Sequence, residues 1–241
     1  MRQSVAAMIA ASAALGGCQV NAQEGSGATI SRNYQVGNFE QIVVAGPYDV
    51  EVRTGSNPGV SARGSEKLLE RTVVEVEGNK LVIRPEHNHS FFNFGWSSHG
   101  KASFTVTVPQ LSGATIAGSG DVRVDKVAGQ NFEGTVAGSG EINVTNMDVQ
   151  QLKLSIAGSG SMRAGTGKAQ SGKYDIAGSG DIDASAVQTQ SLDLSIAGSG
   201  GIKAHSSGTA DVSVMGSGDV EVAGGAKCNV SKAGSGSVRC S

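Results

Sequence analysis

Gly-Ser-Gly recurs in the second half of this chain at 118–120, 138–140, 158–160, 178–180, 198–200, 216–218 and 234–236. Successive copies lie 20, 20, 20, 20, 18 and 18 residues apart. A fixed period of this size marks a solenoid, in which each repeat stacks on the last and only neighbours touch.

The first copy runs Thr115 to Val124 as TIAGSGDVRV. Ile116, Gly118, Gly120, Val122 and Val124 share one parity, while Ala117, Ser119, Asp121 and Arg123 share the other. Alternation of period two belongs to a β-strand with one face in a core. Both glycines fall on the inward parity, where a side chain would crowd a bend and where φ > 0 is open to Gly. Gly-Ser-Gly therefore reads as a corner within or between two short strands.

Aligned copies produce columns. Before the corner stand Ile116, Val136, Ile156, Ile176, Ile196 and Val214; after it stand Val122, Ile142, Met162, Ile182, Ile202, Val220 and Val238. Two places further on come Val124, Val144, Ala164, Ala184, Ala204 and Val222. Such columns suit parallel, in-register strands about 4.8 Å apart. The two residues missing from each 18-residue step fall between Ala204 and Ala210, in what reads as a connecting loop. No apolar spacing of 3.6 appears, a propeller blade needs about 40 residues, and collagen needs Gly at every third place. The fold expected is all-β: a single-stranded parallel β-helix (β-solenoid) of about 20-residue coils, with an irregular β-rich N-terminal portion.

The last coil carries its own stop. Lys232 takes the place held by Ile or Val in earlier copies, and a polar terminal coil blunts an open edge. Cys228 and Cys240 fall on inward positions matching Leu192 and Ala204, which predicts a disulfide stapling this cap. Two buried thiols are the alternative.

The N-terminus gives an address. Arg2 precedes an apolar, Ala-rich run from Val5 to Gly17, too short to span a membrane as a helix. Leu15-Gly16-Gly17-Cys18 resembles the bacterial lipobox, in which the Cys is lipidated; this accounts for the odd Cys, and Gln19 after it resembles outer-membrane sorting. Ordinary cleavage after Val20-Asn21-Ala22 is the competing reading. Either makes 1–22 an export signal and the destination oxidising: the bacterial cell envelope, as an outer-membrane lipoprotein or a periplasmic or secreted protein. Residues 23–31 read as a polar tether.

Residues 32–110 lack the repeat. Strands are expected at 40–45, 48–54, 72–77, 80–84 and 102–108, with a short helix over 65–71 capped by Ser65. The region is either a set of irregular opening coils capping the 111–241 repeats or a small β domain. Continuity is favoured, because Pro109-Gln110-Leu111 runs into the first repeat without a linker. The order F-x-x-I-x-V at Phe39–Val44, G-P-x-D-V at Gly46–Val50, K-L-x-I at Lys80–Ile83, V-x-V-P-x-L at Val106–Leu111 and then repeated A-G-S-G-D resembles the head GIN domain family of auto-transporter adhesins over residues 32–241. The resemblance implies an envelope protein with a β-helical fold. It stops short of an autotransporter, because the last 20 residues read as a final coil rather than a membrane barrel.

Candidate sites are few. Residues 86–100 (EHNHSFFNFGWSSHG) hold Phe91, Phe92, Phe94 and the single Trp, Trp96. These rings offer stacking surfaces for sugars or an apolar patch for a partner or the lipid surface, or else fold back over the side or end of the solenoid. His87, His89 and His99 lack a defined fourth ligand, so no metal site is assigned. Asp121, Glu141, Asp181 and Asp219 form an interrupted acidic ladder that reads as a solvated face rather than a Ca²⁺ site. The Ser column from Ser119 to Ser235 could hydrogen-bond a polysaccharide or simply fit a tight corner. No Gly-rich copy opens a helix or carries Lys-Ser/Thr, and Gly-x-Ser-x-Gly is missing, so no phosphate loop, nucleophile elbow, catalytic residue or cofactor is expected. With a formal charge of −2, nucleic acid is not expected as a partner.

The function expected is a non-catalytic envelope protein presenting a rigid β-surface for adhesion, glycan or protein-partner contact. It would be anchored by lipid if Cys18 is modified, and otherwise would not span the membrane. A polysaccharide-acting enzyme on a β-helix scaffold and a purely structural lipoprotein are the alternatives.

Overall fold

The computed structural model describes residues 28–86 and 102–241. Cys18, His87, His89, Phe91, Phe92, Phe94, Trp96 and His99 lie outside the described residues. The N-terminal elements are β1 (Thr29–Tyr34), β2 (Gln41–Ala45), β3 (Asp49–Thr54), β4 (Gly59–Ser65), α1 (Glu66–Glu70), β5 (Thr72–Glu77), β6 (Lys80–Pro85) and β7 (Ala102–Val108). The repeats follow as β8 (Gly113–Gly118), β9 (Asp121–Gly138), β10 (Glu141–Gly158), β11 (Ser161–Gly178), β12 (Asp181–Gly198), β13 (Gly201–Gly216), β14 (Asp219–Ala223), β15 (Lys227–Gly234) and β16 (Val238–Cys240). All join one sheet, and from β8 onward every pairing is parallel. The β-solenoid expected from the repeat is the fold.

Register follows the repeat. Ile142 pairs with Val122 and Met162, and Ile156 pairs with Val136 and Ile176, so each predicted column is a real stack one coil apart. These side chains are buried along the axis, except that Val238 in the last coil is half-buried. Between Val124 and Phe132, however, the chain is not a loop. β10 buries Ile142, Val144, Met147, Val149, Leu152, Leu154 and Ile156. The alternation slips phase at 145–146 and again at 150–151, so with the Gly-Ser-Gly corner each coil has three faces. The short face, 147–149, pairs with its neighbours like the others. The 18-residue step is absorbed here, as register shifts between Ala184 and Ser191. Thr189 and the fully buried Ser206 satisfy the carbonyls this strands: Thr189 donates to His205 O at 2.7 Å, and Ser206 Oγ lies 3.2 Å from Gln190 O.

The corner glycines have two distinct jobs. The first of each triplet, from Gly118 to Gly234, has φ between 126° and 140°, which L side chains rarely adopt. The second has an ordinary φ, but a Cβ on Gly160 would sit 2.5 Å from the Gly140 carbonyl oxygen of the coil before it. Hydrogen bonding therefore crosses the corner unbroken: Ser159 N donates to Gly138 O at 2.9 Å and Ser161 N to Gly140 O at 3.0 Å.

The N-terminal strands are continuous with the solenoid, but in an order the sequence hides. β2 and β3 form a coil whose Ala45-Gly46-Pro47-Tyr48-Asp49 is a degenerate copy of Ala-Gly-Ser-Gly-Asp: Ala45 pairs with Ala117, and Asp49 with Asp121. Gly46 N donates to Ala117 O at 3.0 Å, and Gly120 N donates to Gly46 O at 3.1 Å. β6 and β7 form the outer coil, stacked on β2 and β3 rather than on the first repeat. The route from Val108 through Pro109 to β8 thus passes over an inserted coil. β4 and β1 add antiparallel beyond β7, and β5 adds antiparallel to β6, closing this end with α1. Both β1 and β4 were missed in the sequence, and β1 begins inside the stretch read as tether. Ser65 precedes α1 as expected but makes no side-chain cap.

Tyr48 takes the place of the second corner Gly. The coil beyond it carries no Gly-Ser-Gly, so a ring fits, edge-on to Phe104 with centroids 5.5 Å apart. Thr72 spends its proton on Leu68 O at 2.8 Å, so the Tyr48 hydroxyl is the donor to Thr72 Oγ1 at 3.1 Å. Burial pushes this phenol upward. At the far end, Cys228 pairs with Ala210 and Cys240 with Val222, and the two form the expected disulfide across the last coil. Lys232 stands in the Val214 column and donates to Gly236 O at 2.8 Å, capping the final corner.

Two comparisons test this packing. Gly160→Ala should lower stability by about 2–3 kcal/mol through overlap with the neighbouring backbone, whereas Ser159→Ala, exposed on the same corner, should stay within about 0.5 kcal/mol. Equal urea midpoints for the two variants would refute the close-approach account. Tyr174 is buried with its hydroxyl unpartnered, beside Gly172, which leaves room for the ring. Tyr174→Phe should therefore be neutral or stabilising by about 1 kcal/mol, whereas Tyr48→Phe, which breaks a buried bond, should cost about 1 kcal/mol.

Candidate functional site

A solenoid turns each outward position of its repeat into a column on the surface. The Ser column from Ser119 to Ser235 is exposed at the corner edge, as its outward parity requires. Beside it runs the acidic ladder, in which two carboxylates serve the stack. Asp181 Oδ1 accepts Gly201 N at 2.9 Å. Asp219 Oδ1 accepts both Ser237 N at 2.9 Å and Ser237 Oγ at 2.6 Å. They tie one coil to the next where the motif lacks an acid. Among the described residues no group of three His, Cys, Asp or Glu is placed to hold a metal.

A third column alternates in sign: Arg163, Asp183, Lys203, Glu221 and Arg239. Alternation of charge between neighbouring strands favours the native register. On the opposite wall, Lys153 pairs with Glu133 at 2.7 Å and Lys173 with Asp193 at 2.8 Å. These exposed pairs add little stability, but they show side chains committed to the fold.

One column was missed in the sequence. Gln110, Gln130, Gln150, Gln170 and Gln190 repeat every 20 residues, as regularly as Gly-Ser-Gly. The same alignment that located the apolar columns would have found them. They stand along the short face at the second phase slip, and with Asp148, Lys168 and Gln188 they wall a trough of about 870 Å³. Its floor is the outer side of Gly129, Val149, Ala169 and Thr189. Lys168 and Asp148, one coil apart in the same column, pair along one wall at 3.8 Å. Gly208 takes the next place after Gln190, at the shortened coil, and ends the column.

β6 ends and β7 begins on either side of the place where the repeats carry Gly-Ser-Gly. After β6, Glu86 donates its N–H to Arg71 O at 2.8 Å, and Ala102 at the start of β7 is buried.

The two bonds from Ser237 hold the Asp219 carboxyl below the usual carboxylate range. A folded pKa below the unfolded one adds stability that is present above about pH 3.9 and is lost as pH falls through the folded value. Ser237→Ala should move the Asp219 titration up toward the ordinary range in a carboxyl NMR experiment. An unmoved titration would remove this anchor from the account of the last coil.

Residues 38–226 match the family described as "Putative auto-transporter adhesin, head GIN domain". A crystal structure of a "putative adhesin" from Bacteroides fragilis superposes with a TM-score of 0.80 at 23% identity, covering 88% of this chain and 97% of that one. A "Putative lipid binding protein" from Parabacteroides distasonis gives 0.69 at 26% identity, covering 90% and 98%. A "putative adhesin" from Parabacteroides merdae gives 0.67 at 18% identity, again covering 90% and 98%. No protein of curated function matches. The G-P-x-D-V element of this chain is the corner of the inserted coil, and its A-G-S-G-D repeats are corners of the stack. With its match running from the inserted coil through β14 and taking in both kinds of corner, this chain belongs to the head GIN domain family.

Proposed function

We propose that this protein is a non-catalytic component of the bacterial cell envelope that presents a rigid β-solenoid surface for adhesive contact with envelope or host glycans or with a protein partner. The observation that carries this reading is the array of outward columns held one coil apart by unbroken backbone pairing. A surface of that kind offers many identical, weak contacts in a row, and such contacts gain from multivalency. The adhesin family over residues 38–226 supports the same reading. The surface columns are shallow and regular, and Asp181 and Asp219 among them are engaged with neighbouring coils, which disfavours a polysaccharide-cleaving enzyme on this scaffold.

The envelope address rests on residues 1–22, with lipid attached at Cys18 as the anchor. No helix of the described residues is long and apolar enough to cross a membrane. The aromatic segment holding Phe91, Phe92, Phe94 and Trp96 is proposed as a second contact element in addition to the columns.

The mature chain, incubated with a panel of bacterial and host polysaccharides, should be retained without producing new chain ends. Appearance of new ends would overturn the non-catalytic reading. Cys18→Ser should abolish incorporation of a labelled fatty acid and move the protein from the membrane to the soluble fraction. Unchanged partition would favour cleavage after Ala22. Trp96→Ala should weaken retention while the unfolding midpoint holds.

A further inference from the structure

We propose that the trough along the short face binds a linear, neutral polysaccharide, with the column from Gln110 to Gln190 contacting the chain once per coil. This deepens the contact reading above and rests on it.

The first argument is unspent hydrogen-bonding capacity. Each glutamine amide carries two N–H donors and a carbonyl acceptor. Among the described residues, none of these five amides bonds to another glutamine or to any other side chain or backbone group. Elsewhere on the surface, Asp181 and Asp219 are tied to the next coil, and Lys153 and Lys173 are in ion pairs. The glutamine column is thus not needed to hold the coils together, yet it repeats through five of them and ends where the coil shortens at Gly208.

The second argument is the match of chemistry and period. A sugar hydroxyl, like a primary amide, both donates and accepts. A polysaccharide presents hydroxyls at a regular repeat, and the glutamines stand at one, about 4.8 Å per coil and about 19 Å from first to last. Many modest contacts in a row would then select a polymer over a short fragment.

The third argument is charge. The charged groups lining the trough are Asp148 and Lys168, of opposite sign and 3.8 Å apart. They leave no net field to attract a polyanion, whether an acidic polysaccharide or a nucleic acid. An extended peptide is also a poor occupant. It would bind through main-chain bonds at a sheet edge, whereas the trough is a sheet face whose backbone is already paired to the coils on either side.

Full-length protein exported by a bacterial host is run in affinity gels containing galactomannan, dextran or a soluble β-glucan. Polygalacturonate and heparin are the charged counterparts. At least one neutral polymer should retard the wild type, and neither charged one should. Q150A/Q170A should lose that retardation by tenfold or more in apparent affinity with an unchanged unfolding midpoint, while S139A/S159A on the Ser corner should keep it. Equal retardation of both double variants would overturn the trough and leave the broader contact reading standing. Retardation by the charged polymers alone, or by none, would overturn the trough as well; cleavage of any polymer would instead overturn the broader reading. A wild-type mass in light scattering that doubles, and halves in Q150A/Q170A, would replace the polysaccharide with a second copy stacked ladder to ladder.

Discussion

At each corner of this solenoid, a carbonyl oxygen of one coil occupies the space that a Cβ of the next would need. That contact recurs from Gly118–Gly138 through Gly216–Gly234. Everything else depends on it. Because the corner backbones approach so closely, the coil-to-coil hydrogen bonds run through the bend instead of stopping there. Because they run through, residues one coil apart keep register, and the columns of Ile, Val and Ala become a continuous core. Glycine loses more freedom on folding than any other residue, and the unbroken ladder is what offsets that loss.

The same constraint explains how the ends differ from the middle. Where a neighbouring coil lacks the glycine corner, a large residue can enter, and Tyr48 does so against Phe104 and Thr72. Where no coil follows, Lys232 turns its charge to the last corner and the Cys228–Cys240 bridge joins two faces. Antiparallel β4 and β1 cover the opposite end. A stack of parallel coils is open at both ends, and each end is closed by chemistry the repeat does not contain.

Inside the coils, size is balanced between adjacent positions: Phe132 sits beside Gly134 and Gly172 beside Tyr174. A thin coil has room for one large ring per level, so the repeat tolerates variation only in compensating pairs. Outside, the logic divides between columns that bind neighbouring coils and columns left free. Asp181, Asp219 and the ion-paired positions belong to the first group, and the trough glutamines to the second. Functional contact with another molecule belongs to the second group, since a side chain already bonded within the fold must break that bond to make a new one.

The sequence by itself determined the solenoid, its period, its inward columns and the terminal disulfide, because strand parity and a fixed repeat are local properties that survive without coordinates. It placed Cys228 and Cys240 correctly for that reason. Only the tertiary structure decided that β2 and β3 lie between the 80–108 coil and the first repeat, because that order depends on Gly46 docking against Gly118 and Gly120, far away in the chain. It also decided that the apparent connecting loop is a third face, since two phase slips cannot be told from an irregular loop until neighbours pair. The glutamine column was legible as a spacing, but its freedom from internal bonds was not. Whether an amide is spent or available depends on what stands one coil away.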